Sequence, residues 1–111
     1  MVVKIKRGDI FWVSFDPSRG SETKKCRPAL IISNDIANQH SKRVTVVPIT
    51  SNVSKIYPFE VRLNTLKKPG KAMADQLRSI DKARLEKKIG QANSNELQAL
   101  NHAVKLHLNL I

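Results

Sequence analysis

Cys26-Arg27-Pro28-Ala29-Leu30-Ile31-Ile32-Ser33-Asn34-Asp35 is the stretch on which the fold turns. The apolar run from Ala29, bounded by Pro28 and by Ser33-Asn34-Asp35, reads as a core strand over 29–33. Asn34-Asp35 then supplies the cap of a short helical turn reaching His40. Ahead of the strand lies a polar segment beginning at Asp16-Pro17-Ser18-Arg19-Gly20, which is turn chemistry and predicts a loop to about residue 26. That loop holds Ser21, Glu22 and Lys24, so a carboxylate and the Arg27 cation stand five residues apart at the lip of a rigid strand. Loops carried on a fixed scaffold are where reacting groups concentrate.

Working outward, residues 8–15 predict a strand. Ile10 and Trp12 alternate with Phe11, Val13 and Phe15, so both of its faces are apolar and burial on both sides is expected. The Val-rich run 43–49 predicts a third strand that ends, or lies at a sheet edge, at Pro48, which has no N–H to give a ladder. A strand over 58–63, short extended pieces over 70–76 and 77–80, a helical turn over 81–85 and a last strand over 86–90 follow. One long helix closes the chain, capped by Asn93 or Ser94 with Glu96 in its first turn, where it complements the helix dipole. Wound at about 3.6 residues per turn, 97–111 lines up Leu97, Leu100, Val104, Leu108 and Ile111, beside a second stripe of Ala99, Ala103, Leu106 and Leu110. Such breadth suggests contact with a second subunit as well as with a sheet, although a tight monomeric core would also use it. Short strands plus one terminal helix make an α+β domain, most simply a small curled antiparallel sheet.

At 111 residues and 41% hydrophobic content, the chain has room for one compact core and one domain, 1–111. Twenty Lys+Arg against nine Asp+Glu give a formal charge of +11, which favours polyanions or an acidic protein partner and speeds their encounter. The basic residues fall in small clusters, among them Lys67/Lys68/Lys71 and Arg84/Lys87/Lys88, rather than in one tail-like block. Cys26 stands alone, which excludes an internal disulfide and fits a reducing compartment. No apolar run approaches the ~20 residues of a membrane span, and Met1-Val2-Val3-Lys4 does not read as a signal peptide. The expectation is a cytoplasmic protein. His40, His102 and His107 read as solvent-facing and lack metal-ligand spacing, so neither a metal nor another cofactor is expected.

Asp9-Ile10-Phe11-Trp12, Gly20-Ser21-Glu22, Cys26-Arg27-Pro28 and Val47-Pro48-Ile49-Thr50-Ser51 occur in the order found in the MazF/PemK/Kid family of toxin endoribonucleases, and the chain resembles that family over nearly its whole length. The resemblance implies an SH3-like barrel with a helix at its side, and catalytic roles for Arg27 and Thr50. Glu22, set among Lys24, Lys25 and Arg27, is favoured in its ionised form, as a base requires, while Arg27 offers a planar fork matched to phosphate oxygens. A plain loop salt bridge between the two is the alternative. Thr50 and Ser51 end a strand, where a hydroxyl can meet phosphate or simply make a local turn. Ser21 and Lys24 are candidate substrate contacts, as are Asp75 and Gln76 with Arg78, in a polar segment that the family keeps beside its active site. The Kid-type branch has a His and an Arg where this chain has Ser21 and Met73, so the chemistry rests on Glu22 and Arg27; which of them acts as acid stays open. Tyr57 and Phe59 are candidates to stack on an unpaired base, with Phe59 also suited to the core, and the loop 52–57 is where sequence selectivity is expected.

Three functions compete. A metal-independent endoribonuclease would use the RNA 2′-OH as nucleophile and leave 2′,3′-cyclic phosphate and 5′-OH ends. A topoisomerase poison of the CcdB type leans on a Trp near its C-terminus, where this chain has Leu108-Asn109-Leu110-Ile111. A non-catalytic basic SH3-like module would explain the charge but not the ordered motifs. The first is preferred. Its implied partners are single-stranded RNA, a second copy of the chain, and an antitoxin with an acidic disordered tail that folds on binding.

Overall fold

The computed structural model describes residues 4–15 and 26–111. Among them are β1 (Asp9–Ser14), β2 (Cys26–Ile31), α1 (Asp35–His40), β3 (Arg43–Thr50), β4 (Glu60–Leu63), β5 (Gly70–Met73), β6 (Arg78–Asp81), β7 (Leu85–Gln91) and α2 (Ser94–His107), with single 3-10 turns at Ala74–Gln76 and Lys82–Arg84. All strand pairings are antiparallel. The order is β4-β5-β3-β2-β1-β7, and β6 pairs with β3 on the side away from β2, alongside β5. This is the expected α+β architecture of a curled antiparallel sheet with a C-terminal helix.

The sheet curls because β3 serves two partners on one side, β6 along Arg43–Val46 and β5 at Ile49–Thr50. Both sheet faces are therefore buried. Ile10, Leu30, Val47, Ile49, Leu63 and Ala72 meet Leu100 and Ala103 of α2, while Phe11, Val13, Phe15, Ile31, Val46 and Ile80 form a second core across the sheet. Pro48 does not end β3: the strand runs on to Thr50 and is central rather than at an edge. Thr45 directs its carbonyl and N–H toward the β2 side. By alternation Pro48 faces the other side, where the β6 ladder has ended at Val46 and the β5 ladder has not begun. A missing donor there breaks no bond.

Two other expectations are corrected. Trp12 is not buried: α2 covers the sheet over Ile10 but not farther along β1, and the indole is 39% exposed. The terminal helix stops at His107, with Leu108 as its C-cap, instead of running to Ile111. Asn109 takes φ 59°. Its N–H donates to Leu106 O (3.2 Å) and the Leu110 N–H to Lys105 O (2.8 Å), the pair of bonds that closes a helix in a Schellman motif.

At the other end of α2, Asn93 and Glu96 form a reciprocal capping box. Glu96 does more than complement the dipole. It is buried and accepts from the Asn93 N–H (3.0 Å), the Asn64 N–H (2.7 Å) and the Thr65 hydroxyl. The helix start is thereby tied to the loop 64–69 that joins β4 to β5. Burial alone would raise the Glu96 pKa, but the donors from Thr65, Asn64 and Asn93 outweigh it and hold the carboxyl below its usual 4.5.

Candidate active site

Arg27 leaves β2 at its first turn of ladder, opposite Val13 of β1. The β2–β3 register pairs Ala29 with Pro48 and Leu30 with Val47; continued two residues it sets Arg27 beside Thr50. Thr50 in turn lies opposite Lys71 of β5, and Lys71 opposite Arg62 of β4. Directly opposed residues share a sheet face, so Thr50, Lys71 and Arg62 form one row across three strands, which Arg27 extends where the β2–β3 register is continued. The row carries three cations and a hydroxyl.

Arg27, Thr50 and Ser51 line a cleft of about 830 Å3. Its apolar wall is Trp12, Pro28, Ile49, Leu66 and Ile89, and its rim carries Lys67, Lys68, Lys87 and Lys88. Thr50 Oγ1 accepts from the Asn52 N–H (3.3 Å), so the local turn expected of it exists, and its own O–H remains a donor. Gly70 is required beside it: a Cβ there would lie 2.9 Å from Ile49 Cγ2 and 3.2 Å from the Thr50 carbonyl oxygen.

The lysines reach one cleft because β7 is irregular. Its pairing with β1 shifts register between Ile10 and Phe11 and again between Trp12 and Val13. A regular strand would send Lys87 and Lys88 to opposite faces; bulges re-aim side chains, and Lys87, Lys88 and Ile89 all border the cleft. Lys88 is also anchored. Its ammonium lies 3.1 Å from Oδ1 of Asp9, a carboxylate only 1% exposed. That contact is an ion pair rather than an aligned hydrogen bond, whereas Asp9 Oδ2 accepts from the Lys6 N–H (2.9 Å).

Of the residues singled out in the sequence, Arg27, Thr50 and Ser51 come together. Ser21, Glu22 and Lys24 lie outside the described residues. Asp75, Gln76 and Arg78 are not on the cleft wall. Asp75 and Gln76 occupy an exposed 3-10 turn, where Gln76 Nε2 donates to Met73 Sδ (3.4 Å). The Arg78 guanidinium lies over the Phe15 ring, 5.2 Å from its centroid. Sequence reasoning left Trp12 in the core and gave the lysine clusters no place; the clusters themselves were the available signal. Among the described residues no group of three His, Cys, Asp or Glu could hold a metal ion.

A curled antiparallel sheet with a basic cleft at the β2–β3 end and a helix on one face makes this a small α+β domain with an anion-binding cleft. The family profile described as "PemK-like, MazF-like toxin of type II toxin-antitoxin system" matches residues 6–108, and the chain belongs to that family. It is 46% identical over 115 residues to Endoribonuclease MazF9 of Mycobacterium tuberculosis, covering 96% of this chain and 98% of that protein. It is 40% identical over 100 residues to Endoribonuclease toxin MazF of Escherichia coli K12, with 89% of each chain covered. Among solved structures, the MazE–MazF complex of Deinococcus radiodurans in its second crystal form superposes with a TM-score of 0.86 at 29% identity, covering 99% of this chain and 100% of that one.

Proposed function

We propose that this chain is a toxin endoribonuclease that cleaves single-stranded RNA without a metal ion, by attack of the 2′-OH on the adjacent phosphorus. The meeting of Arg27 and Thr50 at the mouth of a lysine-rimmed cleft carries the reading. The scissile phosphate lies against Arg27, whose guanidinium neutralises charge growing on the phosphorane oxygens, with the Thr50 hydroxyl as a second donor. The bond from O2′ to phosphorus forms as the bond to O5′ breaks, and the departing O5′ takes a proton from water, leaving a 2′,3′-cyclic phosphate and a 5′-OH. Glu22 takes the 2′-OH proton on the strength of its sequence position among cations, and Ser21, Lys24 and Ser51 hold neighbouring phosphates. Asp75, Gln76 and Arg78 contact RNA beyond the cleft.

The exposed apolar residues at and just beyond the end of α2, Leu106 at 43% and Leu110 at 67% exposure, support a homodimer built on that end of the helix. The four rim lysines suit the acidic tail of a cognate antitoxin, and the similar solved structures include a mycobacterial endoribonuclease in complex with its cognate antitoxin. The chain acts as one domain in the cytoplasm; among the described residues no helix is long and apolar enough to cross a membrane.

Arg27→Ala tests the assignment. It removes an exposed cation at a strand start, so the fold should survive by circular dichroism while cleavage falls by about 10²–10³. A folded variant that cuts RNA at the wild-type rate would overturn it.

A further inference from the structure

Beyond Thr50, the chain from 51 to 59 ends in a built aromatic platform that lies outside the cleft. Tyr57-Pro58-Phe59-Glu60 is a β-turn with proline at its second position, closed by the Glu60 N–H donating to Tyr57 O (2.9 Å). Glu60 Oε1 accepts from the Tyr57 N–H (2.8 Å) and from Lys71 Nζ (2.9 Å). Lys71 Nζ also donates to Lys55 O (2.7 Å). The Lys71–Glu60 pair is nearly buried, with side chains 10% and 7% exposed, so both sides of this loop end are fixed. The Tyr57 ring lies parallel to Phe59, 2° between planes and 5.6 Å between centroids. It remains 43% exposed. The Lys55 and Lys71 ammoniums stand 5.0 and 5.9 Å from its centroid.

Core packing does not account for a tyrosine held this way at the surface. Rigid, exposed and flanked by two cations, it has the composition of a platform for the face of a nucleobase, whose flanking phosphate the Lys55 ammonium would neutralise, Lys71 being held by Glu60. Lys71, opposite Thr50 on the same sheet face, reaches from the Arg27–Thr50 row to this ring. A second copy of a chain carrying +11 is a poor occupant for so cationic a spot.

We infer that Tyr57 is a base-stacking, specificity-determining residue for single-stranded RNA, one step along the strand from the scissile phosphate, with Lys71 and Glu60 as the positioning pair that fixes its ring. This rests on the RNA reading above. The Lys55 ammonium exchanges the ring face for a phosphate when the base arrives.

Binding of an uncleavable 2′-O-methyl RNA pool of random sequence, followed by fluorescence anisotropy across a salt series, separates this inference from the cleavage mechanism. Tyr57→Ala should weaken binding about 5- to 150-fold, the range of losing one base–aromatic stack. Its salt slope should match wild type, because no phosphate contact is lost. Tyr57→Phe, which keeps the ring, should bind as wild type. Equal binding by Tyr57→Ala would overturn the inference, and so would a change in its sedimentation without a change in RNA affinity, which would make Tyr57 part of a self-association surface. A wild type that binds the pool but cuts no RNA would refute the nuclease mechanism and leave this subsite standing.

Discussion

Replacing Glu96 by Gln probes the junction between the terminal helix and the cleft loop. Glu96 Oε2 accepts from the Asn64 N–H, and Oε1 from the Asn93 N–H and the Thr65 hydroxyl. A glutamine offers one carbonyl oxygen and one NH2, so whichever way it sits an N–H donor confronts another donor in a site only 7% exposed. An orphaned buried donor costs about 1–3 kcal/mol. With an unfolding entropy near 2.1 cal/mol/K per residue over 111 residues, that is a drop in Tm of about 4–13 °C. Urea unfolding at pH 7 gives the difference directly as a lower midpoint at unchanged slope. The pH dependence supplies the control. The folded-state carboxyl titrates below its usual 4.5, so the stability it adds is fully present above that value and is lost as pH falls through the folded pKa. The gap between wild type and Glu96→Gln should therefore be widest at neutral pH and shrink as pH drops below about 4.5. A gap that is absent at pH 7, or constant down to pH 3, would refute the reasoning. Because Glu96 also holds the loop that carries Lys67 and Lys68 to the cleft, the variant should bind RNA more weakly at a temperature where it is fully folded.

Other expected outcomes follow from single features. Leu100, on the buried face of α2 with no exposed surface, should cost about 2–5 kcal/mol when cut to Ala, read from the urea midpoint. Lys67→Gln with Lys68→Gln should leave the fold intact and reduce the slope of log binding against log salt by about 1.4, near 0.7 per phosphate contact on a single strand. Asn109→Val forces a β-branched residue into the left-handed φ of 59° and should lower stability by about 1–2 kcal/mol, measured by the shift in Tm.

Much of the fold was legible because its signals are local. The apolar run after Pro28, the Val-rich third strand and the Asn93-to-Glu96 cap each fix an element by residue type within a few positions. Missed features depend on what lies across space. Trp12 belongs to a strand whose both faces are apolar, and only the limited reach of α2 decides that the indole is exposed. Pro48 argued for an edge until β3 was seen to change partners beside it. The helix end needed the left-handed backbone of Asn109, a residue compatible with either outcome in sequence. At the candidate site, Arg27 and Thr50 were singled out from motif order, and both line the cleft. Lys87 and Lys88 were visible as charge, but only the irregular β7 register brings both to one cleft, and no alternation rule predicts two bulges in a seven-residue strand.

The central claim is that Arg27 and Thr50 serve a cleavage in which RNA supplies its own nucleophile. Its most direct test is end-group mapping of a long single-stranded RNA cut by the purified protein in excess EDTA. The account predicts undiminished cleavage, with every downstream fragment starting in a 5′-OH and every upstream fragment ending in a 2′,3′-cyclic phosphate. Cleavage abolished by the chelator and restored by a divalent ion, or fragments bearing 5′-phosphates, would contradict it.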